Sequence, residues 1–296
     1  MLGSYAVCSS ALRLPDGRAH CHRANHRPAH QAIKPPGEPA YRKVDTAAAL
    51  TRLVAHLNEL RPRPATVVAT GDLVDGASKA AYAHLDRLLA PLDVPLAAVP
   101  GNHDDRDLVR RMFGKQPYGQ PSGAANLHLG LEALDLFLLD SSVPGQPHGH
   151  LDGTTLSWLD ASLASSSDRP ALVFLHHPPF ATGIVHMDRQ NLQNARDLAA
   201  VVASHPRVRL IAAGHVHRAV ATVFAGVAAT ICPAPNHAVD LDLLDAHAPA
   251  FHTEPPAFHL HVWFAGGRFG HLVTHLVPIG RFGGPHPFFD QQGNPL

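Results

Sequence analysis

Cysteine is scarce in this chain, and the three present, Cys8, Cys21 and Cys232, are too scattered to brace it with disulfides. That excludes a disulfide scaffold and points to a reducing, cytoplasmic setting. Net charge is absent too: 24 Lys and Arg stand against 24 Asp and Glu. No basic footprint marks a polynucleotide partner and there is no acidic tail, although a neutral total leaves room for a local positive cleft. Long apolar runs are also missing. None approaches the roughly 20 residues that cross a bilayer, and residues 1–11 lack the basic region of a secretory signal. Neither polynucleotide nor membrane is therefore expected as a partner.

What is present is apolar material, 45% of 296 residues, enough for a large core in one α/β domain with a C-terminal extension. Val44, Leu50, Leu53, Val54, Leu57 and Leu60 recur at helical spacing and predict a helix closed by Arg61-Pro62. A second helix is predicted over 78–90, stopped by Pro91, and another over 154–163 with Trp158 facing inward. A short one over 104–113 has a start that could turn its amides toward an anion. β-formers at 66–69, 96–99, 172–175 and 208–213 alternate with these helices, and 127–129 and 134–140 read as further strands. After His217 the pattern turns to strand alone, at 220–224, 227–231, 259–264 and 271–277. Alternating β/α followed by antiparallel strands suggests two packed sheets flanked by helices.

Each of the four alternating strands runs directly into a polar cluster. These are Gly71-Asp72, Pro100-Gly101-Asn102-His103-Asp104, His176-His177-Pro178-Pro179 and Gly214-His215-Val216-His217. Taken alone, Gly71-Asp72 is an ordinary strand-ending turn, and two adjacent histidines in a chain with 24 are easily bystanders. Gly-Asn-His-Asp says more, since an amide oxygen and an imidazole follow a glycine that permits close backbone approach. His215 and His217 stand two apart, so an extended segment would turn both to one side. Buried strands aim four such loops at one crevice. The set spells a site for two metal ions.

In this order the motifs resemble those of the calcineurin-like metallophosphoesterases, from about Ile33 to at least His217. The resemblance implies a four-layer αββα sandwich with a C-terminal cap and oligomerisation extension. It makes Asp72 the bridge between two metals, gives Asn102, His176 and His215 to one of them, and gives His217 to the other. It places His103 at the substrate as proton donor or phosphate contact, oriented by Asp104. Two cations roughly 3.5–4 Å apart would neutralise a phosphodiester and acidify the attacking water. Mixed nitrogen and oxygen donors suit Mn2+, Fe2+, Co2+ or Zn2+ rather than a metal chosen by thiolate. Softer features point to the branch of glycerophosphodiesterases and class III cyclic nucleotide phosphodiesterases. They are Tyr41 after Gly37-Glu38, Asp140-Ser141-Ser142, the full Phe174 to Pro179 string, Met187-Asp188, and Asn236-His237 after Cys232-Pro233. Tyr41 and His237 become candidates to contact the organic part of the substrate, while Ser141 and Ser142 read as turn caps. The expected reaction is hydrolysis of a small phosphodiester, a 3',5'-cyclic nucleotide or a glycerophosphodiester. A phosphomonoesterase of the same fold is the alternative.

The front of the chain departs from that family. Its first motif, Asp-x-His, belongs about forty residues before Asp72, where the sequence reads Ala29-His30-Gln31-Ala32-Ile33-Lys34. Asp16 and His20 lie too far upstream and too widely spaced to replace it. Back-translating 22–32 with common GC-rich codons and reading one frame over can give Ile-Ala-Gln-Thr-Thr-Asp-Pro-His-Ile-Lys-Pro, which would supply the strand and the motif. A short tandem duplication then restores the frame at Ile33-Lys34-Pro35-Pro36. The expected division is therefore an atypical leader over 1–32, a catalytic domain over 33–240 and an extension over 241–296. Without Asp-x-His only Asp72 and His217 remain for the second ion, which opens a further alternative, a catalytically impaired phosphoester-binding protein. In 241–296, His247, His252, His259 and His261 fit no ligand spacing and read as solvated or packing residues. The resemblance makes this region a subunit contact, so a homodimer or larger homo-oligomer is expected there.

Overall fold

The computed structural model describes residues 43–114, 116, 118, 123–166, 169–264 and 270–296. In chain order the elements begin with α1 (Thr46–Glu59), β1 (Val67–Ala69), α2 (Lys79–Leu89), β2 (Leu96–Ala98) and α3 (Arg106–Met112). There follow β3 (Leu127–Gly130), β4 (Asp135–Leu139), α4 (Gly153–Ser165), β5 (Ala171–Leu175), α5 (Val185–Asp188), α6 (Ala195–Ser204) and β6 (Val208–Ala213). The remainder is β: β7 (Val220–Phe224), β8 (Val227–Ile231), β9 (Ala238–Val239), β10 (Phe251–His252), β11 (Ala257–Phe264) and β12 (His271–Pro278). The predicted elements are present with ends moved by a residue or two; α5, α6, β9 and β10 were not read from the sequence. Asp45, Ser78, Asp105 and Asp152 each accept a backbone N–H near the start of the helix they precede, which fixes where those helices begin.

Six strands form one mixed sheet in the order β3-β4-β5-β6-β8-β7, with β4, β5, β6 and β8 parallel. β1 pairs parallel with β2, and β11 pairs antiparallel with β12 over eight residues each. Alternation along the strands sorts the side chains into three apolar layers. Val173, Leu175, Ile211 and Ala213 face α4 and α6 on one side of the large sheet. Leu172, Phe174, Leu210 and Ala212 face the other way and meet Val68, Ala97 and Trp263 from the two small ladders. Val67, Ala69, Ala98, Phe258 and Leu260 turn to the far side, under α1, α2 and α3. The layers are helix, sheet, sheet, helix, the expected αββα order. The departure is in the second sheet, which among the described residues is two separate two-stranded ladders.

Candidate metal centre

The four polar clusters lie beyond the carboxyl ends of β1, β2, β5 and β6, two on each side of the boundary between the sheets. Their backbones are tightly bent. Gly71 has φ +97°, a conformation other residues rarely adopt. Asp72, His215 and His217 nevertheless hold positive φ at 55°, 70° and 59°, a strain that persists only where the surroundings enforce it. His215 and His217 therefore do not sit in extended chain, and the expected same-side projection gives way to two left-handed residues around the buried Val216. A Cβ on Gly101 would stand 2.2 Å from Asp72 Oδ1, so only glycine lets the second loop close over the first.

His176 is the focus of the arrangement. Its Nδ1 lies 2.7 Å from the carbonyl oxygen of Thr70. A carbonyl only accepts, so Nδ1 carries a proton, and the neutral form of the ring has its lone pair at Nε2. Around that lone pair stand Asn102 Oδ1 at 3.1 Å, His215 Nδ1 at 3.1 Å and Asp72 Oδ2 at 3.4 Å. Donors about 2.0–2.2 Å from one ion would stand roughly 3 Å apart. With His215 Nδ1 unprotonated, all four atoms offer lone pairs, and their distances from His176 Nε2 fit a shared divalent metal. His215 Nε2 and His217 Nδ1 are buried without a hydrogen-bond partner.

Charge within the site follows from burial. Burial opposes the charge on Asp72, but the imidazoles of His176, His103 and His215 overcome it and hold the carboxyl far below its usual range. Burial, with His176 adjacent, pushes His215 down to about 3. Burial likewise pushes His217 well below the usual histidine range, with His237 adding to the effect. Unprotonated His215 and His217 beside an ionised carboxylate are the protonation states that metal ligation requires.

The His217 ring packs edge-on against His237, with centroids 4.6 Å apart. The structure thus brings a residue expected at the substrate beside a residue expected on the second ion. Tyr41 lies outside the described residues. His103 donates its backbone N–H to Asp72 Oδ1 at 3.1 Å. Burial works against protonation of its ring, yet Asp72 and Asp75 raise its pKa above the usual value.

Asp104 was expected to orient His103 and does something else. One oxygen accepts from the backbone N–H groups of Gly101, at 2.9 Å, and Leu73, at 3.0 Å; the other accepts from the Tyr82 hydroxyl at 2.8 Å. It pins the second loop to the first. The carboxylate beside the His103 ring is Asp75, with Oδ1 3.6 Å from Nδ1. Asp75 was missed, although its place three residues after Asp72, on the same loop, was available as a signal. Of the amides at the start of α3, that of Leu108 is already taken by Asp105, which accepts from it at 2.8 Å.

The ligand nitrogens of His176, His177 and His215 lie within 4.8 Å of one another. His177 nonetheless has no lone pair to give. Its Nδ1 is 2.8 Å from Ser141 Oγ and its Nε2 3.2 Å from the Pro147 carbonyl, so the hydroxyl donates to one nitrogen and the other donates to the carbonyl. Burial keeps it neutral.

The family model for calcineurin-like phosphoesterases matches residues 22–219. The chain belongs to that family. Members use a dinuclear metal centre, and the buried histidine cluster of this chain is in keeping with one. Among curated relatives, it is 36% identical over 262 residues to a probable glycerophosphodiester phosphodiesterase, GpdQ, of Arcobacter nitrofigilis, covering 88% of this chain and 95% of the relative. It is 38% identical over 152 residues to the 3',5'-cyclic adenosine monophosphate phosphodiesterase CpdA of Escherichia coli K12, covering 51% of this chain and 54% of that protein. Among solved structures, a dimetal phosphatase from Danio rerio aligns with a TM-score of 0.52 at 17% identity, covering 84% of this chain and 96% of that one, which speaks for the fold alone.

Proposed function

We propose that this protein is a divalent-metal-dependent phosphodiesterase acting on small diesters, a 3',5'-cyclic nucleotide or a glycerophosphodiester. The observation that carries the reading is the convergence of Asp72, Asn102 and His215 on Nε2 of His176 within 3.4 Å. The names of relatives such as GpdQ and CpdA support the substrate class.

In this reading Asn102, His176 and His215 would hold one ion, His217 would serve a second, and Asp72 would be shared between them. Oxygen and imidazole donors without thiolate suit Mn2+, Fe2+, Co2+ or Zn2+. When bound, the two ions neutralise the phosphate and acidify a water to attack it. Asn102 and His103 hold the phosphate, and His103, raised by its two neighbouring carboxylates, gives its proton to the departing oxygen. Asp104 keeps the loop that bears them closed against Leu73. His237 and Tyr41 meet the organic substituent. The catalytic domain spans 33–240, after a leader over 1–32, and the extension over 241–296 exposes Phe282, Phe288 and Phe289, a surface for a homodimer or larger homo-oligomer. The protein works in the cytoplasm; no helix among the described residues is long and apolar enough to cross a membrane.

A second reading has its own observation. The sequence holds no Asp-x-His about forty residues before Asp72, and a chain with one well-held ion binds phosphoesters without hydrolysing them. Hydrolysis of bis-p-nitrophenyl phosphate with added Mn(II) separates the two. The chain as it stands, a chain carrying the reframed Ile-Ala-Gln-Thr-Thr-Asp-Pro-His segment, and His215→Ala in each are compared. Turnover abolished by His215→Ala supports the phosphodiesterase. If both parent chains bind metal and neither hydrolyses the ester, the binding protein is right.

A further inference from the structure

The metal-ligand residues are divided between two sheets. Asp72 and Asn102 follow strands of the β1–β2 ladder, whereas His176, His215 and His217 follow strands of the six-stranded sheet. What lies between is apolar packing of Val68, Ala97, Leu172 and Phe174. Such packing is strong but undirected, and a metal site tolerates errors of only about 0.2 Å in its ligand distances. Directed contacts must therefore set one sheet against the other. The His176 to Thr70 hydrogen bond is one of them.

Arg106 provides another. It is the first residue of α3, three positions after His103. Its Nε donates to Asp140 Oδ2, and its Nη2 donates to the Ser142 carbonyl at 2.9 Å and to Ser142 Oγ at 3.3 Å. Asp140, at the end of β4, has a fully buried side chain. Its carboxylate also accepts from Ala125 N at 2.8 Å, Ser142 N at 3.0 Å and Ser142 Oγ at 2.6 Å, and its own N–H donates to Asn126 Oδ1 at 3.0 Å. So many fixed partners leave it one orientation. The next residue, Ser141, holds His177, whose ring packs on His176 and His215 at centroid distances of 4.7 and 4.9 Å. A continuous polar path thus runs from the Asn102-His103 loop through Arg106, Asp140 and Ser141 to the ligand histidines of the other sheet.

We propose that Arg106 and Asp140 are a positioning pair, joining the Asn102-His103 loop of one sheet to the His176 and His215 loops of the other so that their donors meet at one ion. Arg106 touches no reacting atom in this role. The pair rests on the metal-centre reading above, and it adds that the site is assembled across the sheet boundary by a two-point guanidinium clasp. Lysine, with one point charge, cannot reproduce that clasp.

The test is Co(II) binding to the full chain, followed by the visible absorption of the bound ion, with thermal unfolding measured alongside. Arg106→Ala is expected to raise the Co(II) dissociation constant about 10–100-fold, the usual effect of losing a group that orients ligands, and to alter the absorption bands. Arg106→Lys, which keeps the charge and the helix, recovers only part of the affinity; Asp140→Asn falls between parent and Arg106→Ala. If Arg106→Ala fails to fold, the other two variants carry the comparison. Folded variants with the parent's dissociation constant and spectrum overturn the pair, as does weaker binding that only tracks a smaller folded fraction. A parent that binds no Co(II) overturns the metal-centre reading and the pair with it. Parental binding that the variants keep overturns the pair alone.

Discussion

At His176 one nitrogen is committed to the Thr70 carbonyl and the other faces Asn102 Oδ1, His215 Nδ1 and Asp72 Oδ2. That asymmetry sets His176 apart from the histidine beside it, because His177 has both nitrogens engaged. His215→Ala should accordingly abolish Mn(II)-dependent hydrolysis and weaken metal binding, read by steady-state kinetics and by metal titration. His103→Ala should behave differently. Metal affinity should persist while kcat falls by about 10²–10⁴, the usual worth of a general acid. The loss should be larger for an alkyl phosphodiester than for bis-p-nitrophenyl phosphate, whose leaving phenolate needs no proton. Equal losses on both esters would remove His103 from the proton-donor role. At this scale residue types and spacings carried Asp72, Asn102, His176 and His215 directly from the sequence to one point in space. Asp75 and Arg106 were not legible, because what matters in them is which side chain each one reaches across a loop or a sheet. Asp104 was legible as important but not as a pin, since the choice among Gly101, Leu73 and His103 is made by the loop's path.

Among the elements, the β11–β12 ribbon shows how far periodicity reaches. Alternation along β11 puts Phe258 and Leu260 under the helices and puts His259 and His261 on the opposite face, toward the large sheet, where His261 packs on Phe174. These histidines pack, as one of the two sequence readings held. Both ring nitrogens of His259 and the Nε2 of His261 have no hydrogen-bond partner. Burial pushes His259 down to about 2 and His261 down to about 3 from 6.5. A depressed folded-state pKa means that stability present above the unfolded value is lost as pH falls from about 6.5 toward about 3. By linkage each site should cost about 1.4 kcal/mol at about pH 5.5 relative to neutrality. Urea unfolding followed by circular dichroism between pH 7.5 and about 5 should show this slope, flatter in His259→Leu. A slope unchanged by His259→Leu would contradict it. Gly101→Ala belongs here too: its Cβ would fall on Asp72 Oδ1, so the two loops must part. Metal affinity should then fall more than thermal stability, as a titration beside a melting curve would reveal.

Across the whole molecule, the four-layer order was legible because strands with two buried faces and helices with one have different periods in the sequence. The separation of the second sheet into two ladders was not legible, since strand pairing depends on register between distant segments. One absence bears on this scale. With no Asp-x-His about forty residues before Asp72, the neighbour that His217 packs against is a histidine, His237. Replacing the leader with the reframed segment should therefore raise Mn(II) stoichiometry from about one to about two per chain, consistent with a dinuclear centre, as counted by elemental analysis of the dialysed protein. Unchanged stoichiometry would show that the reframed segment supplies no ligands.

The central claim is that loops from two sheets meet around a cation. Its most direct test is an anomalous-difference map from crystals grown with Mn(II). A peak is expected among Asp72 Oδ2, Asn102 Oδ1, His176 Nε2 and His215 Nδ1, each about 2.0–2.3 Å from it. A peak elsewhere, or none while these four atoms keep the spacing described, would contradict it.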